Sequence, residues 1–263
     1  MSVNVSVLAS GSSGNCVYIT DGKVNILVDA GLSGKEIARR LKKVGVDPGN
    51  IDAILVTHEH KDHIKGVGIL SRRYDIPVFA NELTWKAAEP CLGEIKSNNC
   101  KIFDGDFSIG NLGVIPFSSS HDAEDPVGFV FKCRNLKLGL ATDMGIMPDE
   151  AKAYLKGSDL LIIEANHDLD MLMTGSYPWF LKKRIRSAQG HLSNDDTAAI
   201  LPELIEDNFP RILLAHLSQD NNIPELAYIT VKNGLEEEGF IIGRDLEVDF
   251  AYREKPTRLY RVG

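Results

Sequence analysis

Cysteine is scarce and scattered. The 263 residues contain four, Cys16, Cys91, Cys100 and Cys133. None forms a close-spaced pair, which argues against a disulfide framework and a cysteine-ligated zinc site and points to the cytosol. No apolar run approaches the ~20 residues needed to span a bilayer, so no membrane partner is expected. The first seven residues, MSVNVSV, lack the basic stretch and long apolar stretch of an export signal, and a cytoplasmic protein is expected. Positive charge is in deficit, with 29 Lys and Arg against 37 Asp and Glu and a net charge of −8. That balance gives no global attraction to nucleic acid. A local basic patch is still compatible with it, because phosphates are contacted by a surface and not by a net charge. Linkers, low-complexity tracts and charge blocks are missing too, and residues 1–263 are expected to form a single domain.

The chain is 43% hydrophobic and 25% charged, an ordinary composition with enough apolar mass for a core. Strand-like runs alternate with amphipathic helical ones. Val3–Ala9, Cys16–Thr20 and Val24–Asp29 read as strands, with turns at Gly11–Asn15 and Asp21–Gly22. Ser33 is placed to cap a helix over 34–44, a second helix is expected over 63–73, Pro77–Ala80 reads as a strand, and Glu82–Glu89 as a helix. The plan then repeats. Strands are expected at Lys101–Phe103, Val114–Phe117, Val127–Cys133, Leu136–Ala141, Leu160–Glu164 and Arg211–Ala215. Helices are expected at 149–156, Pro178–Ala188, Asp195–Glu206 and near 224–238, with closing strands near 246–252 and 258–262.

Residues 56–63, VTHEHKDH, carry the most chemistry. His58, His60, Asp62 and His63 follow the apolar run Ile51–Val56, and a strand ending in a polar cluster is a usual place for a site in a layered α/β protein. Imidazoles with a carboxylate suit zinc, manganese or iron. One segment cannot enclose a metal, so further ligands are sought at later strand ends. His121 follows Val114–Phe117 and three serines, Asp143 follows Leu138–Thr142, and His216 follows Ile212–Ala215. Any one of these alone reads more simply as a hydrogen-bonded loop residue; the recurrence favours a metal site. Glu59 and Lys61 are expected to face solvent.

The pattern Thr57-His58-x-His60-x-Asp62-His63 followed by His121, Asp143 and His216 resembles the metallo-β-lactamase fold superfamily. The resemblance implies a four-layer αββα sandwich carrying two divalent metal ions, zinc or manganese, with iron also admissible. It implies that His58, His60 and His121 hold one ion, that Asp62, His63 and His216 hold the other, and that Asp143 bridges them. Two such ions acidify a shared water to hydroxide near neutral pH and take up charge on the electrophile's oxygen, while Asp62 ligates and orients the nucleophile.

The motif fixes the fold better than the reaction. Glu164, ending the run Leu161–Glu164, and His191 in Gly190-His191-Leu192-Ser193-Asn194 resemble the glutamate–histidine pair of the ribonuclease Z-like phosphodiesterases. There the histidine faces the scissile phosphate and the glutamate orients it, a useful device because an alkoxide leaves poorly without an acid. The plainer alternative is that His191 and Asn194 cap a helix and Glu164 pairs with a lysine. The segments Ala9–Cys16, Asn25–Gly31, Gly190–Asn194 and Ala215–Asn222 together resemble the YycJ/WalJ branch of bacterial proteins. That branch implies double-stranded DNA exonuclease activity and a link to a cell-wall two-component system. DNA is therefore favoured over RNA. The segment 177–186 offers Trp179, Lys182, Lys183, Arg184 and Arg186 as nucleic-acid contacts; its plainer reading is core-packed aromatics beside a solvated basic face. The rival functions are a thioesterase or lactonase, which would not need His191, and a non-catalytic partner in a signalling or repair complex.

Overall fold

The computed structural model describes residues 2–206 and 208–263. They build two seven-stranded mixed sheets. The first contains β1 (Val3–Ala9), β2 (Cys16–Thr20), β3 (Asn25–Val28), β4 (Ala53–Leu55), β5 (Val78–Ala80), β6 (Cys100–Ile102) and β14 (Tyr260–Val262), in the order β14-β1-β2-β3-β4-β5-β6. The second contains β7 (Phe107–Ile109), β8 (Leu112–Ser118), β9 (Val127–Cys133), β10 (Leu136–Ala141), β11 (Leu160–Glu164), β12 (Arg211–Ala215) and β13 (Glu247–Phe250), in the order β13-β12-β11-β10-β9-β8-β7. Strands β3 to β6 run parallel in the first sheet, and β10 to β13 in the second.

The helices are α1 (Gly34–Lys43), α2 (Lys61–Ile64), α3 (Val67–Tyr74), α4 (Glu82–Leu92), α5 (Asp149–Leu155), α6 (Leu169–Thr174), α7 (Trp179–Ile185), α8 (Asn194–Leu204) and α9 (Pro224–Glu237). None among the described residues is long and apolar enough to cross a membrane. Alternation along the strands makes the layers. Ile26 and Val28 of β3 join Phe129, Leu140, Ile162 and Leu213 of the opposite sheet in the core between the sheets. Leu27 and Ile54 face the other way, onto Ile37, Leu41 and Leu70 of α1 and α3. Ile163 and Leu214 pack under Leu201, Val231 and Leu235 of α8 and α9. Strands buried on both faces need near-continuous apolar runs, which is how they read in the sequence. The result is the expected αββα sandwich.

Ser33 caps α1, accepting from the Glu36 amide at 3.3 Å. The helix expected over 63–73 is two pieces, α2 and α3. Gly66 separates them and donates to Ala30 O at 2.7 Å, which holds the break against the turn after β3. Among the strands and α-helices two were not expected, β7 and α6; both are short and carry little periodicity. The carboxyl ends of the parallel strands from both sheets converge on one edge, where strand-end loops carry polar groups.

Candidate metal centre and active site

The first sheet supplies its ligand candidates from one contiguous segment. After β4, Thr57 and His58 form the strand-end turn, and His60 is the N-cap residue of α2, which carries Asp62 and His63. This turn is packed backbone to backbone against two loops: Asn15, just before β2, donates to Asp62 O at 2.8 Å, and Ala30, just after β3, donates to His63 O at 2.7 Å. A Cβ on Gly31 would lie 1.6 Å from Asp62 O, so only glycine permits the approach.

The second sheet supplies one residue per loop. His121 follows β8, Asp143 follows β10, Glu164 ends β11 and His216 follows β12. Asp29, Asp143 and His216 hold left-handed backbone at φ 59°, 58° and 55°. Such conformations cost free energy for a residue with a Cβ and persist only where the surroundings impose them. At His216 the imposing bonds are its amide to Ser10 Oγ, 2.7 Å, and Asn166 Nδ2 to its carbonyl, 2.8 Å.

Five imidazoles each commit one ring nitrogen to a protein acceptor. His63 Nδ1 donates to Asp29 Oδ2 at 2.7 Å, His216 Nδ1 to Glu164 Oε1 at 2.7 Å and His121 Nδ1 to Gly190 O at 3.1 Å. His60 Nε2 donates to Asp122 O at 3.2 Å. Thr57 Oγ1 donates to Asp29 Oδ2 at 2.8 Å, so it accepts from His58 Nδ1 at 3.0 Å. Such outer bonds fix tautomer and ring orientation and leave the other nitrogen as a lone-pair donor.

Those free atoms converge. Ligand atoms of His58, His60 and His121 lie within 4.8 Å of one another, as do those of His58, His63 and Asp143. Asp62 Oδ2 lies 3.7 Å from His63 Nε2, and Asp143 Oδ1 lies 3.3 Å from His216 Nδ1, the nitrogen that Glu164 holds. His58 Nε2, His216 Nε2 and Asp143 Oδ2 are buried without any hydrogen-bond partner. Orphaned buried polar atoms are costly, and a nitrogen- and oxygen-rich cluster of them suits divalent cations. The clustered donors of His58, His60, His63, His121, Asp143 and His216 thus fit divalent-metal binding, with Asp62 beside them.

Beside this cluster lies Glu164, wholly buried. Its Oε1 accepts from His191 Nδ1 at 2.8 Å and from His216 Nδ1, and its Oε2 accepts the Met144 amide at 3.0 Å. Burial alone would raise this carboxyl, yet the His191 and His216 imidazoles hold it at about 2. Burial would likewise lower His191, but the Glu164 carboxylate raises it to about 9. His191 Nδ1 is thus held and oriented by a buried carboxylate that favours its charged form. It lines a cleft of about 250 Å³ together with His60, Asp62, His121, Asp143 and His216. The Ser193 capping box does start α8, but His191 precedes it and faces the cleft.

Helix α7 forms one wall, through Leu181, Arg184 and Ile185. Arg184 Nε donates to Asp122 Oδ2 at 2.6 Å. Trp179 and Lys183 are exposed, with Lys183 Nζ 5.6 Å from the Trp179 ring centroid. Arg186 is exposed and reaches Met173 Sδ at 3.3 Å. Lys182 departs from expectation. Its side chain is buried and its ammonium donates to Met173 O and Gly175 O at 2.7 Å each, so it fastens α7 to the end of α6 and is withdrawn from phosphates. Glu59 departs as well: it accepts the Glu124 amide at 2.9 Å instead of facing solvent, whereas Lys61 is exposed.

Sequence reasoning did not assign roles to Asp29, Thr57 or Asn15. Asp29 is the hub of the first half, bonded to the Thr57 amide and hydroxyl and to His63. Asn15 Nδ2 stands 2.9 Å from His63 Nε2. The available signal was an acid ending a strand just before a glycine, the same strand-then-acid pattern read at Asp143. His167 was also passed over; it is 1% exposed, with both ring nitrogens unpartnered.

Residues 24–216 match the family model described as a β-lactamase superfamily domain. The chain is 44% identical, over the full length of both proteins, to exodeoxyribonuclease YycJ of Bacillus anthracis. It is 43% identical to exodeoxyribonuclease WalJ of Streptococcus pneumoniae serotype 2, over 92% of each chain. Among solved structures, the metallo-β-lactamase fold protein YhfI of Bacillus subtilis superposes with a TM-score of 0.71 at 15% identity, covering 99% of this chain and 100% of that one. At that identity the superposition speaks for the fold alone.

Proposed function

The chain belongs to the β-lactamase superfamily, and from that premise we propose that it is a metal-dependent phosphodiesterase that degrades double-stranded DNA from an end. The observation that carries the reading is the Glu164–His191 pair at the cleft, 2.8 Å apart, in a chain similar over its whole length to exodeoxyribonucleases. A thioesterase or lactonase has no use for such an acid.

In this reading His58, His60 and His121 would hold one divalent ion, Asp62, His63 and His216 the second, and Asp143 would contact both. The donors accept zinc, manganese or iron, and availability decides among them. The ions, when bound, supply an ionised water and positive charge for the developing phosphorane. The protein's own groups do the rest. Asp62 orients the attacking water. His191, its Nδ1 tied to Glu164, presents Nε2 to the departing 3′ or 5′ oxygen and gives it a proton. Arg184, Lys183 and Arg186 take the neighbouring phosphates, and Trp179 offers a stacking face. The two sheets share one core, the first supplying four of the seven proposed ligands and the second three, so residues 1–263 are read as one catalytic domain. Four free cysteines fit a reducing cytoplasm.

The test compares two leaving groups. In His191→Ala, cleavage of end-labelled duplex DNA should fall about 10²–10⁴-fold. Bis(p-nitrophenyl) phosphate, whose phenolate leaves without a proton, should lose about tenfold or less, since the acid's contribution shrinks with leaving-group basicity. Bound metal should not change. Equal losses on the two esters would overturn the role of His191. Wild type loaded with metal and inert toward duplex DNA would overturn the nuclease reading itself.

A further inference from the structure

The catalytic cleft is small. Its 250 Å³ is below the ~300 Å³ at which pockets for drug-sized ligands begin. One strand's phosphate with a flanking nucleoside suits so small a cleft better than a paired end does. Opening a duplex end would let one strand reach His191, and opening costs pairing and stacking. Something on the protein has to compensate for that cost at the cleft's rim.

Helix α7 has the required form. Its inner face, Leu181, Arg184 and Ile185, is cleft wall. Its outer face carries Trp179, 56% exposed, and Phe180, 74% exposed, the most exposed large hydrophobic side chain among the described residues. Two adjacent aromatics in water contribute nothing to the core, and exposed apolar clusters beside a polar rim mark contact sites. Lys183 and Arg184 flank them with positive charge, and Lys183 sits over the Trp179 ring.

The ridge is also rigid. The buried Lys182 ammonium ties it to two carbonyls at the end of α6, and Arg184 ties it to Asp122. The His191 amide donates to Ile185 O at 2.9 Å, so the proposed acid and the ridge share a backbone bond. A Cβ on Gly190 would lie 2.1 Å from Ile185 O, so the two segments are in direct backbone contact. A base stacked on Trp179 or Phe180 would be placed at a fixed distance from the scissile phosphate.

We infer that Trp179 and Phe180 form a strand-separating wedge, which stacks the unpaired terminal bases of a duplex so that one strand enters the cleft. The inference rests on the nuclease reading and specifies its substrate: an end whose terminal pairs the protein itself opens. Base–aromatic stacking is indifferent to sequence, so no base preference follows.

The experiment measures initial cleavage rates on three labelled substrates of one sequence: a blunt duplex, the same duplex with a mismatched and therefore already open end, and the single strand. Wild type is compared with Trp179→Ala/Phe180→Ala and with Phe180→Trp, and sedimentation records the oligomeric state of each. The double variant should lose about tenfold or more on the blunt duplex, the scale of lost base stacking. Its loss on the open-ended duplex and the single strand should be clearly smaller, because only the blunt end needs opening, and Phe180→Trp should keep most of the blunt-end rate. Equal losses on all three substrates, or none on any, would overturn the wedge and leave the nuclease reading intact. A variant that changes oligomeric state would assign the ridge to a second copy of the chain and overturn it too. Wild type unable to cut any of the three would remove the nuclease reading and the wedge together.

Discussion

The two sheets build their halves of the site differently. The first places His58, His60, Asp62 and His63 within six positions of one strand-end turn, steadied by Asp29 and Thr57. The second gathers Glu164 from the end of β11 and His121, Asp143, His191 and His216 from four separate loops, and two of these, Asp143 and His216, hold left-handed backbone. A contiguous cluster is ordered by local hydrogen bonds. A dispersed one is ordered only when the whole sheet is in register, so its precision derives from the core. The contiguous half is thus suited to holding metal, and the dispersed half also carries the proposed acid.

Asp143 is where the two halves meet, 3.3 Å from both His63 Nε2 and His216 Nδ1. Burial would raise its carboxyl, but the His216 and His63 imidazoles beside it hold it well below the usual range. Asp143→Ala should have the largest effect of any single change. Loss of charge stabilisation worth several kcal/mol corresponds to about 10³-fold or more in turnover. Elemental analysis should show the metal content per chain falling at the same time. Full metal content with wild-type turnover would mean that the halves act independently.

A smaller effect separates the halves. Asp29 serves His63 and Thr57 alone, whereas Glu164 serves His216 and His191 together. Asp29→Asn should weaken metal retention about 10–100-fold, the usual cost of losing an outer partner, and activity should return at saturating metal. Glu164→Gln should lower kcat about 10²-fold on duplex DNA and not recover with metal, because the orientation and protonation of His191 fail as well. Metal-titrated activity distinguishes the two. Similar recovery in both variants would erase the proposed difference between a holding half and a reacting half.

The same contrast explains what could be read from the sequence. His58 to His63 were legible because local spacing alone brings them together. His121, Asp143 and His216 were legible only as repeats of the strand-then-ligand pattern, and the layered sheets because strands buried on both faces are apolar throughout. Asp29 was not assigned a role, since its function is to orient His63, 34 positions away. Lys182 was misjudged because a run of cations does not show which one lies under the helix. Its neighbour Lys183 is exposed, and only the fold of α6 puts two carbonyls within reach of the buried ammonium. The break between α2 and α3 depends on Gly66 meeting Ala30, a contact between two loops that periodicity cannot show.

The smallest expected effect concerns stability. Every histidine of the contiguous half has a bonded ring nitrogen, but the dispersed half also buries His167, three residues past Glu164, with neither nitrogen partnered. Burial pushes this imidazole down to about 4, against ~6.5 in the unfolded chain. Between those values the unfolded state binds the extra proton, so stability rises with pH across the window. The contribution is complete above about pH 6.5 and is lost as pH falls toward 4, with a span of ~3 kcal/mol. Urea unfolding of metal-free wild type and His167→Leu at pH 7, 5.5 and 4 isolates it, because every other titrating group is common to both chains. Wild type should lose ~3 kcal/mol relative to the variant between the ends of the range. Parallel curves would show that His167 keeps its proton affinity in the folded state, and the dispersed half would then be as fully hydrogen-bonded as the contiguous one.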